Sequence, residues 1–358
     1  MRYTSLMKSL DEKYMRMCLS LAKKGFGKVA PNPMVGCVVL DKKGNLVSKG
    51  YHKKYGKNHA ERDALLKLKN NEAEGGTLYV NLEPCSHYGK TPPCVDLILE
   101  RKLKRVVIGM KDVNPKVDGI SKLKKAGIEV DYVLEDEAQF LNRVFIKNMT
   151  QKLPYVVLKT ATTMDGKIAT KDGDSKWITS SSARDKVYQM RKEFDCIMTS
   201  SNTVIADNPK MEHKFKCILD RNSRVDKSAQ IFEQGEIYVA TKENTPLKDG
   251  NLDIKAVLAE LFSRGIYTVF VEGGGTLAGA MLKENLVDEV YQFVAPKILN
   301  DNSGKSCFDG DNILKICDAK NLLIYSVEQI GVDILIKAKF KKIFSGASND
   351  APYSSVIS

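Results

Sequence analysis

The residues of this chain whose types and spacing can do chemistry are His59, Glu61, Cys85 and Cys94. One imidazole and two thiolates are good zinc ligands, and three protein ligands leave a tetrahedral ion one open position. Zinc in such a site lowers the pKa of a bound water to about 7. Glu61 is not needed as a ligand and can carry the proton. Together these residues predict a catalytic zinc site with Glu61 as its acid and base.

Three structural alternatives stay open at this point. Asn58 can begin a helix with Glu61 in its first turn, a capping box that contributes about 1 kcal/mol to stability. His87 lies between the two cysteines, and as a fourth ligand it would make the zinc site closed and structural. We expect it instead to contact substrate or solvent. We expect His52 to end a strand and not to bind metal.

The order His-x-Glu, then Pro-Cys, is the signature of zinc-dependent nucleobase deaminases, whose second Cys usually completes C-x-x-C. Here Cys94 follows Cys85 only after a longer insert, Ser86 to Pro93. That spacing resembles the family of bifunctional riboflavin-biosynthesis enzymes that join a diaminohydroxyphosphoribosylaminopyrimidine deaminase to a 5-amino-6-(5-phosphoribosylamino)uracil reductase. The segment Pro31 to Gly36 also matches the family's P-N-P-x-V-G motif.

The resemblance implies hydrolytic deamination at zinc, with Asn32 contacting the base. An amide side chain offers both a donor and an acceptor to a pyrimidine edge. One stretch departs from the family pattern: Val113 replaces a Pro and a Gly is missing. The path of the loop from Asn114 to Gly119 is therefore not predicted.

The second half contains a glycine cluster, Gly273 to Gly275, between an apolar strand and a helical segment. Glycines at a helix start let backbone N–H groups approach a phosphate. A tight strand-to-helix turn explains the same residues equally well. The cluster alone therefore does not decide between a dinucleotide site and a turn.

The resemblance extends to this half through Lys159–Ala169, Ser175–Ser180, Asn202–Pro209 and Val271–Gly274. It implies a dihydrofolate-reductase-like domain that binds NADPH without a Rossmann fingerprint. The implied NADPH residues are Ala161, Trp177, Thr203, Asp207, Gly274, Gly275, Thr276, Leu277, Ala278, Gly279 and Ala280. The implied substrate residues are Ser175, Arg191, Met211, Lys214 and Glu272. Lys214 stands where the family usually has an Arg. The lysine keeps the positive charge but loses the bidentate geometry with which an arginine binds phosphate.

The elements that position these residues alternate between helix and strand, which predicts an α/β protein. The N-terminal domain, residues 1–150, is expected to be cytidine-deaminase-like. The dihydrofolate-reductase-like domain is expected over 151–344, with its first residues, Gln151–Pro154, as the linker, and a disordered tail is expected over 345–358. A single helix is predicted over 137–148, and Ser180 or Ser181 is predicted to cap another.

Composition limits the partners. A net charge of +12 over 358 residues suits an anionic substrate, here a phosphorylated pyrimidine, although the lysines are scattered. A nucleic-acid base deaminase is the main rival, but the long cysteine spacing and the absence of evident stacking platforms disfavour it. We expect no nucleic acid, no membrane span, a cytoplasmic location and a homo-oligomer. The cysteines outside the motif, Cys18, Cys37, Cys196, Cys217, Cys307 and Cys317, are expected to be buried free thiols.

Overall fold

The computed structural model of the chain describes residues 2–69, 71–89, 92–310 and 313–340. The contacts divide it into two compact units between Lys152 and Leu153. The tail expected over 345–358 and the end of the second domain at 344 lie outside the described residues. None of the helices in the described ranges is long and apolar enough to cross a membrane.

The first unit is built around a mixed sheet. Its strands are β1 (Gly36–Leu40), β2 (Leu46–Tyr51), β3 (Thr77–Val80), β4 (Arg105–Ile108) and β5 (Glu129–Tyr132). The sheet order is β2-β1-β3-β4-β5; β1 runs antiparallel to β2 and β3, and β3, β4 and β5 are parallel. Strands β1 and β2 are consecutive in the chain and form an antiparallel hairpin.

Helices cover both faces of this sheet. They are α1 (Arg2–Lys23), α2 (Ala60–Leu65), α3 (Cys94–Glu100), α4 (Gly119–Lys125), α5 (Glu135–Leu141) and α6 (Arg143–Gln151). Successive residues of β1 point to opposite faces, so Val38 packs with α1 whereas Cys37 and Val39 pack in the cluster that contains α2 and α3. β1 is therefore buried along its whole length.

Close packing of α1 on the sheet requires a glycine at the start of β1. A Cβ on Gly36 would lie 2.1 Å from the carbonyl oxygen of Cys18. The glycine of the P-N-P-x-V-G motif thus allows α1 to lie directly against the start of β1.

The helix expected over 137–148 is two helices, α5 and α6, which meet at Asn142. The Asn142 side chain accepts a hydrogen bond from Met34 N (2.8 Å) and donates one to Met34 O (3.0 Å). An Asn that bonds to distant backbone competes with helix propagation. The single-helix prediction was wrong because this tertiary contact was invisible in the sequence.

The second unit contains a larger, mainly parallel sheet. The described strands of the unit are β6 (Tyr155–Thr163), β7 (Lys167–Ala169), β8 (Cys196–Ser200), β9 (Phe215–Leu219), β10 (Glu236–Ala240), β11 (Leu247–Lys248), β12 (Asn251–Leu252), β13 (Thr268–Glu272), β14 (Glu289–Ala295), β15 (Lys305–Ser306), β16 (Leu322–Ile330) and β17 (Asp333–Phe340). The main sheet has the order β10-β9-β8-β13-β6-β14-β17-β16. The strands from β10 to β14 are parallel, and β17 and β16 add an antiparallel edge.

The described helices of the second unit are α7 (Ser181–Arg191), α8 (Ser201–Asp207), α9 (Ile254–Ser263) and α10 (Gly275–Lys283), with 3-10 turns at Gln230–Phe232 and Ile316–Asp318. Helices α9 and α10 bury apolar side chains on one sheet face. Ser180 caps α7 by accepting from Ala183 N, which confirms one of the two expected caps.

All eight cysteines are free. Those outside the zinc motif are buried as expected, except Cys317, which is exposed. The prediction for Cys317 was wrong because this residue lies in the 3-10 turn Ile316–Asp318, in which no residue is buried.

Candidate functional site

The predicted zinc ligands converge at the ends of three elements. His59 immediately precedes α2, Cys85 follows β3, and Cys94 is the first residue of α3. His59 Nδ1 lies 3.4 Å from Cys85 Sγ and 3.5 Å from Cys94 Sγ, and one ligand atom from each residue lies within 4.8 Å of the others. Two soft sulfurs and an imidazole at this separation suit a tetrahedral zinc ion. The residues present therefore fit the predicted metal.

The two thiols differ in acidity. A hydrogen bond from Cys94 and another from His59 lower the pKa of Cys85 to about 4, against the effect of burial. The same bond to Cys85, together with burial, raises the pKa of Cys94 well above its usual value. These hydrogen bonds thus favour the thiolate of Cys85, the form that binds metal.

Glu61 lies in the first turn of α2 and is 4% exposed. Burial raises its pKa to about 7, and the carboxyl group also interacts with Cys85 and Cys94. A carboxyl group with such a pKa can both accept and donate a proton near neutral pH.

The capping-box alternative for Glu61 is wrong. The helix begins at Ala60, its N-cap is His59, and no side chain caps it. Asn58 instead uses its carbonyl oxygen to accept from His52 Nδ1, at 3.0 Å. The burial of Glu61 is therefore not explained by a local helix cap.

A cavity of about 270 Å³ opens onto these residues. It is lined by Asn32, Pro33, Val35, His52, Tyr55, Gly56, Lys57, His59, Glu61, Leu82, Glu83, Cys85, His87, Gly89, Asp112, Asn114, Val117, Phe145 and Met149. The structure thus brings Asn32 into the same cavity as the ligands and Glu61. The size suits one small heterocycle with part of its substituent.

His52 orients the amide of Asn32. With Nδ1–H donated to Asn58, the neutral ring leaves Nε2 as an acceptor, and Asn32 Nδ2 lies 3.2 Å from it. As expected, His52 follows the end of β2, and among the described residues it does not belong to the metal cluster. The sequence analysis missed this orienting contact.

Two further asparagines hold the segment that contains Asn32. Asn81 accepts from Gly36 N at 2.7 Å and donates to Met34 O at 3.0 Å, beside the bonds from Asn142. Both asparagines are buried. The signal in the sequence was a polar residue, Asn81, directly after the apolar strand β3.

The loop whose path was not predicted forms another wall of the cavity. Glu83 accepts from Asp112 N (3.1 Å) and from Ile120 N (3.0 Å). A Cβ on Gly119 would lie 2.0 Å from the carbonyl oxygen of Pro84. The loop therefore packs tightly on the segment that carries Cys85, and burial raises the pKa of Asp112 to about 6.

His87 lines the cavity, and among the described residues it is not part of the metal cluster. Its Nδ1 is buried and has no hydrogen-bond partner within the part of the chain that the structure describes. This geometry favours contact with a ligand over a role as a fourth zinc ligand.

In the second unit, the carboxyl ends of adjacent parallel strands carry much of the predicted reductase site. Arg191 Nε lies 2.6 Å from Glu272 Oε1, and Lys159 Nζ lies 3.7 Å from Glu272 Oε2. All three side chains are largely buried. The pKa of Glu272 is lowered because Lys159 and Arg191 together outweigh the effect of burial.

The other predicted substrate residues are not gathered there. Lys214 stands directly before β9, where its ammonium lies 3.9 Å from Asp195, at the opposite end of the parallel strands from Glu272. Met211 is 7% exposed and packs in an apolar cluster with Ile197 and Val204. Ser175 lies half-buried in the segment between β7 and α7. Their roles stay predictions, and the geometry does not support that of the Lys214 side chain.

The predicted cofactor residues Gly274 to Ala280, at the N-cap and in the first turns of α10, differ in how much space surrounds them. A Cβ on Gly274 would meet open space, whereas one on Gly279 would lie 1.5 Å from the carbonyl oxygen of Asp309. Leu277 and Ala278 belong to the apolar core, and Ala280 packs against it. Within the predicted segment, open space beside the backbone is thus found at Gly274, at the start of the helix, whereas a Cβ on Gly275 would lie 2.4 Å from the carbonyl oxygen of Ser306.

The remaining cofactor residues lie on neighbouring elements. Thr203 is in α8, directly after β8, and Asp207 is the exposed last residue of that helix. Ala161 is on β6, two residues after Lys159, which is the register partner of Glu272. Trp177 is 62% exposed and stacks with the Arg184 guanidinium, 4.3 Å from the ring centre. The open position at Gly274 and the side chains that follow adjacent parallel strands fit a dinucleotide.

Each half of the chain matches the model of a known protein family. Residues 8–110 match the family of the cytidine and deoxycytidylate deaminase zinc-binding region. Residues 154–336 match the RibD C-terminal domain family.

Full-length relatives share the whole arrangement. Riboflavin biosynthesis protein RibD of Aquifex aeolicus is 40% identical and aligns over 92% of this chain and 99% of its own. The Escherichia coli protein of the same name is 36% identical over 91% of this chain and 98% of its own.

Solved structures give the same result. RibD of Acinetobacter baumannii superposes with a TM-score of 0.79 at 35% identity, over 93% of this chain and 99% of that chain. The diaminohydroxyphosphoribosylaminopyrimidine deaminase/5-amino-6-(5-phosphoribosylamino)uracil reductase of Thermotoga maritima has a TM-score of 0.79 at 36% identity, over 94% of this chain and 100% of that chain.

Proposed function

The chain belongs to the RibD family of bifunctional riboflavin-biosynthesis deaminase/reductases, and from this premise we propose which of its residues carry out each reaction. The first unit contains the zinc-binding deaminase region and the second the reductase domain. The convergence of His59, Cys85 and Cys94 beside the buried Glu61 is the observation that carries the proposal.

The first unit deaminates 2,5-diamino-6-(5-phosphoribosylamino)pyrimidin-4(3H)-one. His59, Cys85 and Cys94 hold zinc, which when bound supplies a Lewis acid that makes a water molecule nucleophilic at neutral pH. Glu61 accepts a proton from the attacking water and then delivers it to the departing amine. Its pKa of about 7 suits both steps.

Asn32 positions the pyrimidine in this scheme. Because His52 engages its Nδ2, the amide orientation is set, and its oxygen and remaining N–H can pair with the base edge. Asn81 and Asn142 act indirectly, because their side chains donate to the carbonyl oxygen of Met34 and so fix the backbone near Asn32. His87 offers to the substituent of the base its Nδ1 atom, which has no hydrogen-bond partner among the residues that the structure describes.

The second unit reduces the ribosyl side chain of 5-amino-6-(5-phosphoribosylamino)uracil to ribityl. NADPH, when bound, supplies the hydride, and Gly274 to Thr276 together with Ala161, Trp177, Thr203 and Asp207 orient it. Arg191 and Glu272 bind the substrate beside it. Their mutual ion pair keeps both charged in a buried site, ready for polar contacts with the sugar chain.

One experiment tests both halves. Zinc-loaded protein is given the diaminopyrimidine phosphate, and ammonia release and NADPH oxidation are followed separately. We expect ammonia to be released even when NADPH is left out of the assay. We expect NADPH to be oxidised only after the substrate has been deaminated. Absence of ammonia release would refute the role of the first unit, and absence of NADPH oxidation with the deaminated product would refute that of the second.

We further propose a cytoplasmic location and a homo-oligomer. A zinc site with two thiolates is compatible with the reducing cytoplasm. Leu314 and Ile316 are each 92% exposed, close in sequence to the edge strand β16, and exposed apolar side chains of this kind often mark subunit contacts. A mass measurement by light scattering that returned only the monomer would exclude the oligomer.

A further inference from the structure

One face of α6 is fixed beside the cavity of the first unit. Asn142, directly before the helix, bonds to both backbone groups of Met34. Residues three and seven positions further along a helix lie on the same face, and here these residues are Phe145 and Met149. Both line the cavity. The contact that holds the segment with Asn32 therefore also fixes two apolar side chains at the cavity wall.

Phe145 provides the enclosed aromatic surface of this cavity. Among the described residues that line it, Tyr55 and Phe145 are the ones with a benzene ring. Tyr55 is 44% exposed, so most of its ring faces solvent at the mouth of the cavity. Phe145 is only 8% exposed. A planar ligand that reaches the metal ligands and Glu61 therefore meets Phe145 and not Tyr55 in the interior.

A pyrimidine needs such a surface in addition to polar groups. It offers polar atoms at its edge and an apolar π surface on each face of the ring. In this cavity Asn32 suits the edge and Glu61 the departing amine. A ring face gains most from an aromatic side chain, whose quadrupole favours an offset-stacked or edge-to-face arrangement. Phe145 is the buried side chain of the cavity that meets this requirement.

We propose that Phe145, supported by Met149, packs against the pyrimidine ring and makes the first unit selective for a planar base. The inference rests on the proposed deaminase function. Phe145 and Met149 stand four positions apart in α6, where such apolar pairs support each other. Because Asn142 joins the start of α6 to Met34, one contact holds both the side chain that covers the ring and the segment whose Asn32 reads its edge.

The test compares two inhibitors of ammonia release, the reaction of the first unit. One is 5,6-diaminouracil, which has the base without the sugar phosphate, and the other is ribose 5-phosphate, which has the sugar phosphate without the base. We expect Phe145→Leu to raise the inhibition constant of 5,6-diaminouracil about three- to tenfold, because the aromatic contact is lost. The inhibition constant of ribose 5-phosphate should not change. Equal changes for both inhibitors, or none, would overturn the proposal.

Two further variants separate the aromatic contact from packing. Phe145→Met keeps a large apolar side chain at the position, and we expect the same selective loss as for Phe145→Leu. If Phe145→Met is inhibited by 5,6-diaminouracil like wild type, an apolar filler suffices and the stacking role is wrong. Phe26→Leu is the matched control, because Phe26 is 54% exposed and does not line the cavity. It should change neither inhibition constant.

The activity of wild type separates the two levels of inference. If wild type releases ammonia from the diaminopyrimidine phosphate and both Phe145 variants keep its inhibition by 5,6-diaminouracil, the stacking role is wrong and the deaminase remains. If wild type releases no ammonia, the deaminase function itself fails, and this inference fails with it. NADPH oxidation with the deaminated substrate, which the second unit carries out, should be the same in all variants; a parallel loss there would reveal a general defect and overturn the assignment to Phe145.

Discussion

Glu61 and its neighbours show how one carboxyl group can serve as both acid and base. The side chain is buried at the start of α2, no helix cap accounts for it, and burial raises its pKa to about 7. It stands two positions from one predicted ligand, His59, and interacts with the other two. Its burial is thus not accounted for by helix capping, and its raised pKa fits the proposed role in proton transfer.

We expect Glu61→Gln to lose at least about a hundredfold in the rate of ammonia release, because proton transfer by a positioned side chain contributes 10²–10⁴-fold. Zinc content, measured by atomic absorption, should not change, since the three ligands remain. NADPH oxidation with deaminated substrate is the internal control. A loss below about tenfold would mean that another group moves the proton.

Asn32→Ala should strongly impair deamination and leave zinc bound, because the amide is proposed to contact the base and its hydrogen bond in the structure goes to His52, which is not a metal ligand. The kinetic signature is a fall in kcat/KM for ammonia release. Asn45→Ala, in the exposed β1–β2 turn, is the matched control. Full activity of the Asn32 variant would remove this residue from substrate recognition.

At the residue scale, the sequence was sufficient to predict the metal ligands and Glu61, but not the residues that surround them. His59, Glu61, Cys85 and Cys94 stand in a spacing with its own chemistry, so they were found before any fold was known. His52, Asn81 and Asn142 carry no such pattern. Their hydrogen bonds to Asn32 and Met34 join residues from 20 to 108 positions apart, and only the folded backbone brings such residues together.

At the scale of elements, the zinc site depends on how two loops pack. The segment that carries Cys85 lies against the first turn of α4, where Gly119 leaves no room for a side chain above Pro84. Glu83 ties the two segments together through the backbone N–H groups of Asp112 and Ile120. The position of Cys85 is therefore coupled to the placement of α4.

Gly119→Ala should accordingly weaken the site as well as the fold. A Cβ 2.0 Å from a backbone oxygen forces the two segments apart, and overpacking of this kind costs about 1–3 kcal/mol in the free energy of unfolding. We expect a lower melting temperature and weaker zinc binding in a competition with a chelator. Gly89→Ala, where a Cβ meets nothing within 4 Å, should melt like wild type. Equal melting and zinc affinity of both variants would contradict the coupling.

Element prediction from sequence succeeded where a local signal was strong and failed where tertiary contacts or short lengths intervened. The cap of α7 at Ser180 was placed correctly because a serine directly before a helical segment is such a local signal. The helix α8 was missed because it has only seven residues, too few to show an amphipathic period. The edge strand β16 was missed although its nine residues are mainly apolar.

For the whole molecule, two compact units with separate cores imply that the two reactions can be lost separately. We expect a chelator to abolish ammonia release and to leave NADPH oxidation with deaminated substrate intact. Added zinc should restore the first activity. The chelator should also lower only the melting transition of the first unit, because a ligand stabilises the unit that binds it. Parallel loss of both activities would contradict this separation.

The distribution of thiols has a practical consequence. With zinc in place the sulfurs of Cys85 and Cys94 are engaged, and five of the remaining six cysteines are buried, so Cys317 alone is open to solvent. A maleimide dye should therefore label the native protein at one position in the reductase domain, without engineering of the chain. The stoichiometry of labelling would rise when zinc is stripped, which makes the same reagent a simple gauge of metal occupancy.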